Sequence, residues 1–135
     1  MGLCCMKKFE NFKKALTNLE LCRDYEPPYD VVTETGLVNL FVICFEQSWK
    51  AMKEILEKHG YDKGKTGSPR MIIKLAYSAG MIKNEEKWLG LLEHRNLASH
   101  TYDEGVAEEI IAETKRCYLD LFRQLEMELT ENWLS

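Results

Sequence analysis

Apolar residues return every three or four positions along most of this chain, a spacing that predicts helices rather than strands. Phe9, Phe12, Leu16 and Leu19 form the first stripe, with Lys7, Lys8, Lys13 and Lys14 largely off it. That helix has to end before Pro27-Pro28, because neither proline can continue a helix and the residue before each is pushed to extended geometry. Tyr29 to Thr35 then reads as a connector. A second helix is expected from about Gly36 to His59, with a wide stripe of Val38, Phe41, Phe45, Trp49, Met52 and Leu56 that suits the centre of a domain. Gly60 is placed to cap its C-terminus, and residues 60–68 read as a loop.

Ser68-Pro69 supplies an N-cap oxygen and then proline at the first helical position, so a short third helix starts there and ends at Gly80. Asn84, Glu85 and Glu86 start a fourth, which carries Trp88, Leu91 and Leu92. Asp103 is expected to cap a fifth in which Ala107, Ile110, Thr114, Cys117, Leu121 and Leu125 keep one face. It covers about 30 residues, or roughly 45 Å at the helical rise. No segment alternates apolar and polar residues long enough for a strand. The expected fold is all-α: an antiparallel up-and-down helical bundle of about five helices, three long and two short, in one domain over residues 1–135. Val106, Ile111, Tyr118 and Phe122 add apolar surface to a second flank of the last helix, more than a small monomer is expected to cover. That predicts a homodimer through a helical face, or a higher even oligomer.

Composition narrows the function. The chain has 135 residues, of which 18 are basic and 22 acidic, for a net charge of −4. Bulk charge therefore does not draw it to nucleic acid, and any RNA contact has to be a local site. No apolar run approaches the roughly 18–20 residues that span a bilayer, and the N-terminus has no secretory pattern. The five cysteines are odd in number, and Cys22, Cys44 and Cys117 sit on apolar stripes. They read as reduced, buried small hydrophobes of a cytoplasmic protein, with no spacing that suggests a metal site. Met1-Gly2-Leu3-Cys4-Cys5 has the start of a myristoylation and palmitoylation signal, but Met6 stands where serine or threonine is usual.

Two nucleotide motifs fail on inspection. Gly60 to Thr66 has three residues between its glycines where a phosphate-binding loop needs four, and it follows a helix instead of a strand. Gly67-Ser68 opens like a nucleotidyltransferase site, but Pro69-Arg70-Met71 follows where paired aspartates would hold magnesium.

Residues 93–103, Glu-His-Arg-Asn-Leu-Ala-Ser-His-Thr-Tyr-Asp, are the least bland stretch. Arg95 continues the stripe of Trp88, Leu91 and Leu92, so an apolar face ends in a guanidinium. On a regular helix Asn96 and His100 lie about 40° apart, whereas Arg95 and His100 lie about 140° apart. The latter two converge only if the helix ends there or a second chain contributes. A purely structural corner remains open on these residues alone: Arg95 binding a carboxylate, Ser99 or His100 capping, Tyr102 packing.

Arg95-x4-His100-x-Tyr102 resembles the signature of HEPN-domain proteins, in particular the toxin side of HepT/MntA-type pairs. Phe9-Glu10-x-Phe12-x-Lys14-Ala15-Leu16, Phe45-Glu46-x-x-Trp49-Lys50, Ser68-Pro69-Arg70 and Arg95-Asn96-x-x-Ser99-His100-Thr101-Tyr102-Asp103 are similar to the family also called nucleotidyltransferase substrate-binding proteins. These blocks cover most of residues 9–125 in order. The resemblance implies a dimerising helical bundle and two functional readings.

In the first, the chain is a metal-independent ribonuclease that needs no cofactor. His100 would take the proton from an RNA 2′-hydroxyl, and Arg95 would hold the scissile phosphate. Asn96, with Ser99 beside it in the motif, would orient the phosphate or the histidine. The RNA would be single-stranded or looped. A partner minimal nucleotidyltransferase would transfer AMP to Tyr102 and silence the toxin. In the second reading, the chain is a non-catalytic subunit that docks on a nucleotidyltransferase and presents a substrate, with the Phe45 to Lys50 block lining a pocket. A helical dimer with a decayed site is the blandest remaining possibility, against which the intact Arg95, His100 and Tyr102 speak.

Overall fold

The computed structural model describes residues 7–61, 67–103 and 105–134. The lipidation-like start and most of the glycine-rich segment at 60–66 therefore lie outside the described residues. Within them, the chain is helical throughout. Helix α1 (Lys7–Leu19) runs into a tighter 3₁₀ turn at Glu20–Asp24. Helix α2 spans Val31–Lys58, α3 Pro69–Ser78 and α4 Glu85–Leu97, followed by a 3₁₀ turn at Ala98–His100. Helices α5 (Val106–Glu113) and α6 (Leu119–Glu128) are joined by a π-turn at Thr114–Tyr118, and a second π-turn, Leu129–Trp133, ends the rod. The expected all-α bundle is what the chain adopts, although α1 and α4 each have 13 residues, so only two elements are long.

Helix α2 is the hub, as its wide stripe predicts. It packs against α1, α3, α4 and α5, and α1 also meets α6. One core gathers Phe12, Phe41, Phe45, Met52, Ile73, Trp88, Leu91 and Phe122, all at most 2% exposed. Phe122 meets Phe12 and Trp88 edge-on, with ring centroids 6.0 and 5.7 Å apart. This ties the last helix to both α1 and α4.

The helix ends follow their capping chemistry. Ser68 Oγ accepts the Met71 N–H at 3.2 Å, and Asn84 Oδ1 accepts the Lys87 N–H at 3.1 Å. Gly60 takes a left-handed φ of 83° just past α2, with the Tyr61 N–H returning to Leu56 O at 3.0 Å.

Three expectations are corrected. Helix α2 starts at Val31 rather than near Gly36, because Asp30 Oδ1 accepts the Thr33 N–H at 2.7 Å and makes a helical turn of what reads as a connector. The N-cap of α5 is Gly105, at φ 87°, instead of Asp103, which contributes only its backbone carbonyl to the Val106 N–H. The flank of the last helix is covered from within: Ile111, Tyr118 and Phe122 are buried by the chain's own helices and Val106 is half-buried against the core, so these four do not form the bare apolar face expected. Among the cysteines, Cys22 and Cys44 are buried and Cys117 is half-buried.

Candidate functional site

The polar stretch forms a corner where α4 tightens into its 3₁₀ turn and the chain swings into α5. Arg95, on the last turn of α4, is half-buried and reaches across to α2. Its Nε donates to Glu46 Oε2 at 2.5 Å, and its Nη1 donates to Asn96 Oδ1 at 2.9 Å. The guanidinium carbon lies 5.7 Å from the centre of the Phe45 ring. The other oxygen of Glu46 accepts the Trp49 indole N–H at 3.0 Å. A single carboxylate thus fixes the arginine against the hub helix, and the Phe45-Glu46-x-x-Trp49 block serves as its seat. Trp49 is half-buried at the core's edge.

His100 and Tyr102 form the outer part of the corner. His100 Nδ1 and the Tyr102 hydroxyl are 3.0 Å apart. Tyr102 is 78% exposed, which removes the packed-tyrosine alternative. Ser99 Oγ donates to Asn96 O at 3.4 Å. No hydrogen bond joins Arg95 to His100 among the described residues. The structure therefore pairs Arg95 with Asn96, and His100 with Tyr102, and leaves the two pairs separate. The Asn96 side chain serves the arginine here, and among the described residues no hydrogen bond joins it to the histidine.

One participant went unread in the sequence. His94 is side by side with Arg95 in the chain but points elsewhere: its Nδ1 lies 2.5 Å from the Tyr118 hydroxyl, and its Nε2 2.8 Å from Glu109 Oε2. This bridge locks the end of α4 to the last helix. The π-turn that carries Tyr118 is recorded by the Leu119 N–H bonding back to Thr114 O, and Tyr118 also stacks on Phe41 at 5.7 Å. Burial, with the Glu113 carboxylate second, pushes the Tyr118 phenol well above its ordinary pKa. The contact between positions 94 and 118 has no local sequence signal; only the density of polar groups at 93–103 hinted at it.

Among the described residues no group of three or more histidines, cysteines or carboxylates is placed to hold a metal ion. No helix among them is long and apolar enough to cross a membrane.

The fold sets the chain among all-helical bundles of the kind solved as a nucleotidyltransferase's substrate-binding domain. The family described as nucleotidyltransferase substrate binding protein like matches residues 7–131, and the chain belongs to it. This agrees with the family resemblance read from the sequence blocks. A crystal structure from Thermus thermophilus superposes with a TM-score of 0.75 at 28% identity, covering 87% of this chain and 98% of that one. A structure from Haemophilus influenzae, described as revealing the fold of a substrate-binding domain of a nucleotidyltransferase, superposes at 0.73 with 26% identity over 89% of this chain and 97% of that one. A chain from a toxin–antitoxin crystal structure with AMP-PNP shares the fold, at a TM-score of 0.66 and 15% identity over 96% of this chain and 99% of that one. A Haemophilus influenzae protein named probable ribonuclease HepT is 30% identical over 80 residues, which cover 58% of this chain and 55% of that protein. The match spans about half the length of that curated relative.

Proposed function

We propose that this chain is the toxin subunit of a HEPN-type toxin–antitoxin pair: a cytoplasmic, metal-independent endoribonuclease that a minimal nucleotidyltransferase silences by transferring AMP to Tyr102. The observation that carries this reading is the exposed Tyr102 hydroxyl 3.0 Å from His100 Nδ1, a modifiable oxygen touching the candidate base. The motif resemblance, the family and the relatives' names support it.

The chemistry follows from the tautomer. When His100 Nδ1–H donates to the Tyr102 oxygen, Nε2 is left as an acceptor. Nε2 then takes the proton of an RNA 2′-hydroxyl. The 2′-oxygen attacks the neighbouring phosphorus, the bond from phosphorus to the 5′-oxygen breaks, and that oxygen takes a proton from water. The products are a 2′,3′-cyclic phosphate and a 5′-hydroxyl end. Arg95 keeps Nη2 free of intramolecular bonds among the described residues, and this nitrogen binds the phosphate and its developing charge. Since no hydrogen bond joins Arg95 to His100 among the described residues of one chain, the reading includes a homodimer, or higher even oligomer, in which two corners face each other across a cleft for single-stranded or looped RNA.

Silencing follows equally. The Tyr102 phenolic oxygen attacks the α-phosphorus of ATP, pyrophosphate leaves, and the phenol proton passes to solvent. The resulting phosphodiester places a negative charge beside His100 and makes the tyrosine oxygen a poor acceptor for Nδ1–H. The base loses both its access and its tautomer.

The second reading, a non-catalytic subunit docked on a nucleotidyltransferase, draws on the Glu46 carboxylate that already neutralises Arg95. Purified wild type, His100→Ala and Arg95→Ala incubated with total RNA in EDTA separate the two. Cleavage by wild type alone, leaving cyclic phosphate ends, is expected. Intact RNA from unmodified wild type would transfer the assignment to the docking subunit.

A further inference from the structure

His94 and Arg95 are neighbours on the last turn of α4, so their side chains leave the helix about 100° apart. Each is anchored on a different part of the bundle. Arg95 is tied to Glu46 on α2, while His94 reaches Glu109 on α5 and Tyr118 in the π-turn. One anchor fixes where a helix end lies; two, set at an angle to each other, also fix its rotation about its own axis. The imidazole suits this task. With Nε2–H donating to the Glu109 carboxylate at 2.8 Å, Nδ1 is left to accept the Tyr118 hydroxyl at 2.5 Å. Burial raises the pKa of that phenol, so the hydroxyl keeps its proton for the bond. Tyr118 is itself held in place, buried and stacked on Phe41 of the hub helix. The His94 side chain is 15% exposed and that of Glu109 60%, so a surface carboxylate meets a ring that is largely covered.

The candidate site begins where this turn ends. Ala98–His100 is a 3₁₀ turn that continues α4 directly, with the Ala98 N–H bonded to Arg95 O. Arg95 and His100 therefore both take their direction from the end of α4. A rotation of about 20° moves a group on the outer radius of a helix, about 5 Å from its axis, by roughly 2 Å. Misplacing a reacting group by about 1 Å can cost on the order of a hundredfold in rate.

We propose that His94 is a positioning residue for RNA cleavage: held by Glu109 and Tyr118, it fixes the rotation of the last turn of α4 and so places Arg95 and His100 about the scissile phosphate. The proposal rests on the ribonuclease reading. His94 touches no substrate in it and acts through the helix alone. Arg95 keeps its seat on Glu46 when His94 is replaced, so RNA still binds, and the step that suffers is proton transfer at His100.

The test measures kcat and KM per folded chain on a single-stranded RNA that the wild type cleaves. His94→Leu, which loses both hydrogen bonds, is expected to lower kcat at least tenfold and leave KM within threefold. Its Ala98 amide should exchange hydrogen at least tenfold faster relative to the amides of α1, a readout that needs no activity. Glu109→Ala changes an exposed side chain and carries the test should His94→Leu fail to fold; it is expected to lower kcat at least threefold. Glu109→Gln, whose amide oxygen still accepts from Nε2–H, should restore at least half of the wild-type rate. A kcat within twofold of wild type in folded His94→Leu overturns the proposal. So does a rise in KM at unchanged kcat, which would make His94 part of phosphate binding, or a loss in Glu109→Gln equal to that in Glu109→Ala. If unmodified wild type cleaves no RNA, the ribonuclease reading itself falls, and the positioning role with it.

Discussion

Replacing Glu46 with glutamine removes the charge that seats Arg95 while keeping a neutral oxygen for Trp49. The two partners have side-chain exposures of 27% and 26%, so the pair is screened less than a surface ion pair. At about 4 Å and an effective dielectric near 20, two unit charges attract by roughly 4 kcal/mol, and desolvation of both groups cancels much of that. A charge-assisted hydrogen bond of this kind is worth about 1.5–3 kcal/mol when removed. The expected coupling between Glu46 and Arg95 is therefore about 1–2 kcal/mol. Urea unfolding of wild type, Glu46→Gln, Arg95→Gln and the double variant gives it as a double-mutant cycle. A coupling under about 0.5 kcal/mol, the range of exposed pairs, would refute the claim that Glu46 holds Arg95 in place. In RNA cleavage, Glu46→Gln should raise KM more than it lowers kcat, since a loosened guanidinium first costs phosphate binding.

Phe122→Ala empties the contact shared by Phe12 and Trp88 and should cost about 3–5 kcal/mol of unfolding free energy in urea. Tyr118→Phe removes the hydroxyl bonded to His94 and should cost about 1–2 kcal/mol near neutral pH. Because burial raises the folded-state pKa of Tyr118, the folded chain binds the extra proton more tightly than the unfolded chain. Its contribution is complete below the ordinary tyrosine value of about 10 and is lost as pH rises above it. Stability measured from about pH 9 to 11 should fall for wild type and fall less for Tyr118→Phe. Gly105→Ala should cost about 1 kcal/mol in the same urea assay, since Gly105 holds a φ of 87° at the N-cap of α5.

What could be read in the sequence was what depends on local pattern. The stripes of Phe9 to Leu19 and of Val38 to Leu56 located α1 and α2, and Ser68-Pro69 and Asn84 located two helix starts through capping chemistry. Periodicity says nothing of which partner covers a stripe, so Ile111, Tyr118 and Phe122 read as a free flank although α1, α2 and α4 cover them. Asp30 was missed because the paired prolines before it suggested a long connector, when they stop only the residues up to Pro28. In the corner, Arg95, His100 and Tyr102 stood out as a string. Their partners did not: Glu46 lies 49 positions from Arg95 and Tyr118 lies 24 from His94, and such distances are bridged by the fold.

The most direct measurement follows one preparation of the chain through both of its proposed states. RNA cleavage in EDTA is timed for protein shown by intact mass to be unmodified, and timed again after AMP transfer has gone to completion. Tyr102→Phe is carried alongside as a chain that has no oxygen to modify. The expected result is cleavage that vanishes from the wild type on modification, whereas Tyr102→Phe, slowed by loss of the oxygen that holds the His100 tautomer, cleaves at the same rate before and after the same treatment. Equal cleavage before and after complete modification of Tyr102, or none in either state, would contradict the account.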